Sequence, residues 1–532
     1  MMQRRAFLAG GLGTAGLATL GRPALAQPAR QRVLRFVPYT SLAILDPIWT
    51  TVDITRDHGY MVYDTLYGLD DKLQPRPQLA EGHSVEQDGR LWTVTLRSGP
   101  RFHDGEPVRA RDCVASLERW MAVAPMGRTL QASLDTLQAV DDRRMQFRLK
   151  RPFPLLLNVL AQATAPVPFI MPERVANTDP TKQITETVGS GPFIFKRDEY
   201  QLGVQTVYER FADYVPTPDG GSGLTAGPKQ VHFDRVEWLH IPDASTAGAA
   251  LQTGEVDWYA APPAELIDLL RSFRDVEVGR MELLPSVMVM RPNHLQPPFD
   301  NKKLRQALLP ALSQADYAMA AVGTDPTQYA IGTGFFPPGS PMASDAGLAP
   351  LLGPRDLDLA RRLIKESGYS GETVRLLGPA EGTVTAAMAQ VTADLFPRLG
   401  FNFEATLVDS ATVTQRRRSM EPVERGGWSI TCWSFPGLWF ENPGTHSLLR
   451  GNGKEAWFGW PDVPKLEELR NAWLDAPDLA TQQRIAREMQ VVGMEELPCI
   501  PLGALYRMTA LKKSLQGRIT GFPIFWNLRR AA

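Results

Sequence analysis

Near Leu284 the hydrophobic pattern of this chain changes period, and that change limits what it can fold into more than any single motif does. Before it, short runs alternate. Leu91 to Leu96 places Trp92, Val94 and Leu96 on one side, and Met145, Phe147 and Leu149 repeat the arrangement, the period of half-buried strands. A helix over about Ala110 to Val123 lies between them, so roughly Tyr63 to Thr187 reads as a compact α+β unit. Beyond Leu284, helical stripes take over. Leu304, Leu308, Ala311, Leu312 and Ala315 mark one helix over Lys302 to Val322. Helices near 356–366 and 383–399, with strands near 373–377 and 402–408, give an αβαβ rhythm and predict a mixed or parallel sheet. Pro397 should kink or end the second of these helices early. A chain of 532 residues is too long for one core, so the two patterns belong to separate packed units.

Between them, Gly189-Ser190-Gly191-Pro192 breaks the chain, and the Pro/Gly/Ser-rich stretch 213–229 reads as a surface loop. Asp243 is a good N-cap for a helix over Ala244 to Thr253. Helices over Pro464 to Leu474 and Leu479 to Glu495 lead into the apolar, strand-like run Leu497 to Leu502.

The N-terminus is an export signal by pattern. Arg4-Arg5 precede the apolar run Ala6 to Leu20, and Ala24-Leu25-Ala26 forms an A-x-A cleavage site with a twin-arginine signature. The run is shorter than the ~20 residues of a spanning helix. The mature chain is therefore expected to be soluble and periplasmic, cleaved near Ala26, a retained N-terminal anchor being the alternative. Gly11, Gly13 and Gly16 spell a GxGxxG, but no strand precedes them, so they make no dinucleotide site.

Turnover chemistry has no foothold. Neither H-E-x-x-H, Cys-x-x-Cys, G-x-S-x-G nor a phosphate-binding P-loop occurs, and the seven histidines include no pair at zinc-ligand spacing. No cofactor and no metal are expected. A formal net charge of -1 argues against a nucleic-acid partner. Cys113, Cys432 and Cys499 read as small buried thiols, although a Cys432–Cys499 bridge is open to them outside the cytoplasm.

Several segments resemble one family, the extracellular solute-binding protein family 5 of peptide- and nickel-type ABC transporters. Leu45-Asp46-Pro47 and Tyr63-Asp64-Thr65-Leu66 are similar to its opening, and Pro77 to Gly82 to its "P-x-LAE" run. Leu96 to Pro107, with Phe102-His103-Asp104-Gly105, is similar to its "KFHDGEP" segment, followed by Ala110 to Val114. Gly189-Ser190-Gly191-Pro192-Phe193, Ile241-Pro242-Asp243, Gly254-Glu255-Val256-Asp257, and Pro298-Phe299-Asp300 with Arg305-Gln306-Ala307-Leu308 follow in the family's order. Most of these motifs are expected to serve folding rather than ligand choice.

The resemblance implies an α/β, two-lobe periplasmic-binding-protein fold (type II, cluster C-like) with a large inserted α+β subdomain. Lobe I would combine 32–62, 188–288 and 505–532, the insertion would be 63–187, and lobe II 289–504. It implies no enzyme. The expected activity is capture of a small organic solute by hinge closure and its delivery, by a monomer, to an ABC permease and its ATPase. An exported enzyme with a carboxylate site and a ligand-sensing receptor subunit are the alternatives.

For the pocket, Trp433, Phe435, Trp439 and Phe440 are candidates because aromatics crowd this stretch and supply wide contact area. Tyr39, Trp49 and Glu381 join them. Peptide-binding relatives follow the aromatic matching Trp433 with an acid that pairs with a peptide's amino terminus. Here Ser434-Phe435-Pro436 offers none, with Glu441 the next acid. Arg291, Arg416, Arg417 and Arg418 could receive a carboxylate, although an arginine run is more often a solvated face.

Overall fold

The computed structural model describes residues 32–218, 223–380 and 384–531. The signal expected over 1–26, its cleavage near Ala26, and Glu381 lie outside them.

Two large sheets divide the chain. One has seven strands, in the order Phe193–Phe195, Gln205–Arg210, Arg235–Leu239, Val33–Val37, Trp258–Tyr259, Met508–Lys512 and Val276–Arg280. The other has six: Tyr329–Ala330, Ile500–Leu505, Ser286–Pro292, Ile430–Phe435, Thr373–Pro379 and Asn402–Val408. Thr373–Pro379 and Asn402–Val408 run parallel, joined by the helix Val384–Arg398, while Ser286–Pro292 runs antiparallel to both its neighbours. The sheet is mixed, as the αβαβ rhythm predicts. The chain passes between the two sheets twice, through 281–285 and back through 506–507.

A separate four-stranded antiparallel sheet orders Ala80–Glu86, Leu91–Leu96, Arg144–Leu149 and Leu134–Ala139. Its alternation is real: Trp92, Val94, Leu96, Met145, Phe147 and Leu149 are buried under the helix Ala110–Met121. The whole is a two-lobe α/β fold carrying this smaller α+β region.

Buried polar contacts stitch the regions together. His103 donates its Nε2–H to the Gly191 carbonyl at 3.0 Å, and its backbone N–H donates to the Gly189 carbonyl at 2.8 Å. Burial lowers the His103 imidazole to about 4, so it stays neutral. Side chains at 189 or 191 would collide with the backbone of Val62 and Tyr63, which is why small residues stand there. Asp243 caps its helix through the Thr246 N–H at 2.7 Å, and Gly254 closes that helix in the left-handed region.

Two expectations are corrected. The helix over Lys302 to Val322 is broken into Lys302–Ala307, the single 3-10 turn Leu309–Ala311, and Gln314–Val322. Pro310 has no N–H to continue the ladder, and Ser313 starts a new helix by accepting from the Asp316 N–H. The 213–229 stretch is no simple surface loop. Leu224, Thr225, Ala226 and Lys229 are buried, and Thr225 exchanges hydrogen bonds with Leu69. Lys229 pairs with Asp64 at 2.7 Å with both side chains sealed from water. Pro397, by contrast, sits in the last turn of its helix, which runs one residue further and stops before Gly400 at φ 91°.

All three cysteines are free and buried. Burial raises every thiol, to about 12 at Cys432 and about 11 at Cys499. A thiol-selective reagent at pH 8 should therefore leave the native protein unlabelled and label three sites after unfolding. Fast native labelling at any of them would contradict this packing. Among the described residues no helix is long and apolar enough to cross a membrane, and no three His, Cys, Asp or Glu side chains gather around a metal-sized space.

Candidate functional site

Where the two crossings meet, a cavity of about 290 Å³ opens between the lobes. Tyr39, Thr51, Asp53, Ala261 and Arg507 line it from the side of the seven-stranded sheet, and Phe435, Pro436 and Trp439 from the side of the six-stranded sheet. Tyr39 arrives two residues past the strand Val33–Val37, and Arg507 lies in the second crossing, its guanidinium 5.4 Å over the Tyr39 ring. Phe435 ends the strand Ile430–Phe435, and Pro436 begins the turn Gly437–Phe440. That turn is seated on the first crossing so closely that a side chain on Gly437 would collide with the Pro285 carbonyl.

A charge cluster lies behind the cavity and reaches it through Asp53 and Arg507. Arg56 pairs with Asp53 at 3.1 Å and donates to Asp57 at 2.8 Å, and Arg507 reaches Glu282 at 3.2 Å. Three acids thus face two guanidiniums. Burial pushes the Asp57 carboxyl up to about 7 against the pull of Arg56, and burial also raises Glu282 and the Tyr39 phenol.

The loop that supplies Phe435 and Trp439 reaches a second cavity of about 230 Å³ at its far end, through Glu441, Asn442 and Thr445. Met126, Leu155 and Gln162 wall this cavity on one side, Trp473 and Leu479 on another. Glu441 accepts a hydrogen bond from Asn442 at 3.1 Å through Oε1, while Oε2 is buried with no partner. Burial pushes its carboxyl up to about 8 against the pull of the Asn442 hydrogen bond.

Of the residues the sequence singles out, Tyr39, Phe435 and Trp439 come together on one cavity. Trp433 stands half-buried two positions back on the same strand, edge-on to Trp457 at 5.8 Å. Phe440 is fully buried and stacked flat on His446 at 4.1 Å, a core position. Trp49 is 40% exposed and lines neither cavity. Asp53, Thr51, Ala261 and Arg507 escape sequence reasoning. Only Arg507 had a signal, its place just past the expected boundary at 504.

The hollow is thus walled from both lobes. A family model described as "Bacterial extracellular solute-binding proteins, family 5 Middle" matches residues 74–447. The chain belongs to the bacterial extracellular solute-binding proteins, family 5.

It is 35% identical over 494 residues to the "Probable peptide ABC transporter periplasmic-binding protein y4tO" of Sinorhizobium fredii, covering 92% of each chain. Solved structures share the fold. One is the binding protein AgaA with agropinic acid from A. tumefaciens R10, at TM-score 0.76 and 20% identity, covering 94% of this chain and 99% of that one. Another is a dipeptide-binding protein of Pseudoalteromonas sp. SM9913 with Met-Leu, at TM-score 0.74 and 21% identity, covering 94% and 100%. As a family 5 solute-binding protein the chain is the substrate-binding component of an ABC importer and not an enzyme. The family's members are periplasmic or extracellular, take small ligands and work with ABC permease components. Its shared motifs carry structural contacts here: Asp46, Asp64, His103 and Asp243 each make a buried or capping hydrogen bond.

Proposed function

We propose that this family 5 protein captures a small organic solute, peptide-like or similar, in the cavity of Tyr39, Asp53, Phe435, Trp439 and Arg507, and closes on it by hinge motion. Lobe I would comprise 32–62, 188–288 and 505–532, the insertion 63–187, and lobe II 289–504, with 281–285 and 506–507 as the hinge. The protein acts as a periplasmic monomer after cleavage near Ala26, and delivers its cargo to a permease driven by an ATPase. The observation that supports this reading is a single cavity wall contributed by both sheets, because a ligand favours the closed form only through contacts made to both lobes.

Thermal melting against a panel of dipeptides, tripeptides, opines and sugars tests it. A true ligand at 100 times its Kd adds about 2.7 kcal/mol to the folded state, a shift of several degrees. Trp439→Ala and Phe435→Ala should abolish most of that shift. A full shift retained in both variants would place the ligand elsewhere.

A further inference from the structure

The structure separates the four arginines that the sequence offers as carboxylate receivers. Arg291 is fully buried and donates to the carbonyls of Leu448, Trp457, Phe458 and Pro498, a role in holding loops together. Arg418 is exposed, and Arg416 reaches the Gly426 carbonyl at 3.4 Å. Arg417 does something different. It follows the helix Ser410–Arg416, and its guanidinium lies 4.7 Å over Trp433, 4.8 Å over Phe458 and 5.3 Å over Trp457.

Among the described residues no carboxylate pairs with this guanidinium, and its Nε is buried without a hydrogen-bond partner. Burial, with Arg418 beside it, holds its pKa below the ordinary arginine value. Aromatic faces hold a guanidinium in place while leaving its in-plane N–H donors free. A cation already stripped of part of its water, and already oriented, offers an incoming oxyanion a strong charge-assisted hydrogen bond at reduced ordering cost.

The aromatic surface also leads somewhere. Trp457 stands edge-on to Trp433 at 5.8 Å and to Phe435 at 5.7 Å, and Phe435 lines the inter-lobe cavity. At the opposite end of that path the cavity's guanidinium, Arg507, is already engaged by Glu282 at 3.2 Å. Among the described residues Arg417 pairs with no carboxylate, so it is the guanidinium left open to an anionic group on the ligand.

We propose that Arg417 binds the carboxylate of the transported solute, whose body lies along Trp433, Trp457 and Phe435, so that the importer selects organic acids over their neutral analogues. This rests on the inter-lobe cavity being the capture site.

Titration calorimetry with acid and amide twins tests it, using Met-Leu against Met-Leu amide and benzoylglycine against its amide. In the wild type the acid of at least one pair should bind about 10- to 100-fold more tightly than its amide, the range of a charge-assisted hydrogen bond. Arg417→Met should erase that preference without lowering the melting midpoint, since it removes an unpaired, half-buried charge. Arg417→Lys should restore only part, lacking the planar fork. Equal binding of acid and amide in the wild type, a preference that survives in Arg417→Met, or no binding of either pair would overturn the proposal. Phe435→Ala should weaken both twins alike. If it leaves both unchanged, the capture-site reading fails as well.

Discussion

Asp46→Ala is expected to destabilise the protein by about 3–5 kcal/mol, the cost of leaving one member of a buried ion pair alone. Asp46 accepts two hydrogen bonds from Arg119, at 3.1 and 2.7 Å, and two more from the backbone N–H groups of Ile48 and Ile184, at 3.2 and 3.0 Å. Both side chains are sealed, at 0% and 3% exposure. Arg119 lies on the helix Ala110–Met121 and also donates to the carbonyls of Thr178 and Lys182, so the pair ties that helix to the segment that follows the strand Val33–Val37. Urea melts of Asp46→Ala, Arg119→Met and the double variant check this. The double variant should recover part of the loss, because no lone charge is then buried. Strictly additive losses would show that desolvation of the survivor is not the cause.

The second large effect is one of pH. The Glu441 carboxyl titrates near 8 in the folded protein, pushed up by burial, and near its ordinary value of 4.5 when unfolded. Between those values the folded state holds a proton that the unfolded state has lost. Its contribution to stability is therefore complete below about pH 4.5 and is lost as pH rises through 8. Glu441→Gln removes this term. The stability difference between Glu441→Gln and wild type should change by about 2–4 kcal/mol in the variant's favour from pH 4 to pH 9. Asp57 and Glu282 are raised too, so the wild-type curve alone mixes several groups, and only the difference isolates Glu441. Parallel curves for the two proteins would show that this carboxyl is not held protonated.

Much of the fold was legible because its signals are local. Asp243 and Gly254 mark the two ends of one helix, and the alternation at Trp92, Val94 and Leu96 needs only the next strand to bury it. The helix Asp53–Val62 was not legible. It is almost wholly buried yet carries Arg56, Asp57 and His58, which no apolar stripe announces. These residues are held by one another and by distant partners: Arg56 by Asp57, and the His58 Nδ1 by the Tyr208 hydroxyl at 2.8 Å, 150 positions away. The same reason hid half of the site. Phe435 and Trp439 stand out by residue type, but Asp53 and Arg507 acquire meaning only when the two crossings bring them to one cavity. Likewise three consecutive arginines look alike in sequence, and only the rings under Arg417 distinguish it.

The two inter-lobe segments are not independent. Met281 donates its N–H to the Arg507 carbonyl at 2.8 Å, and Glu282 holds the Arg507 side chain. Bound to each other in this way, they must twist together. A hinge motion of the halves would turn about an axis along the joined pair, and sideways shear or splaying would first have to break that stitch.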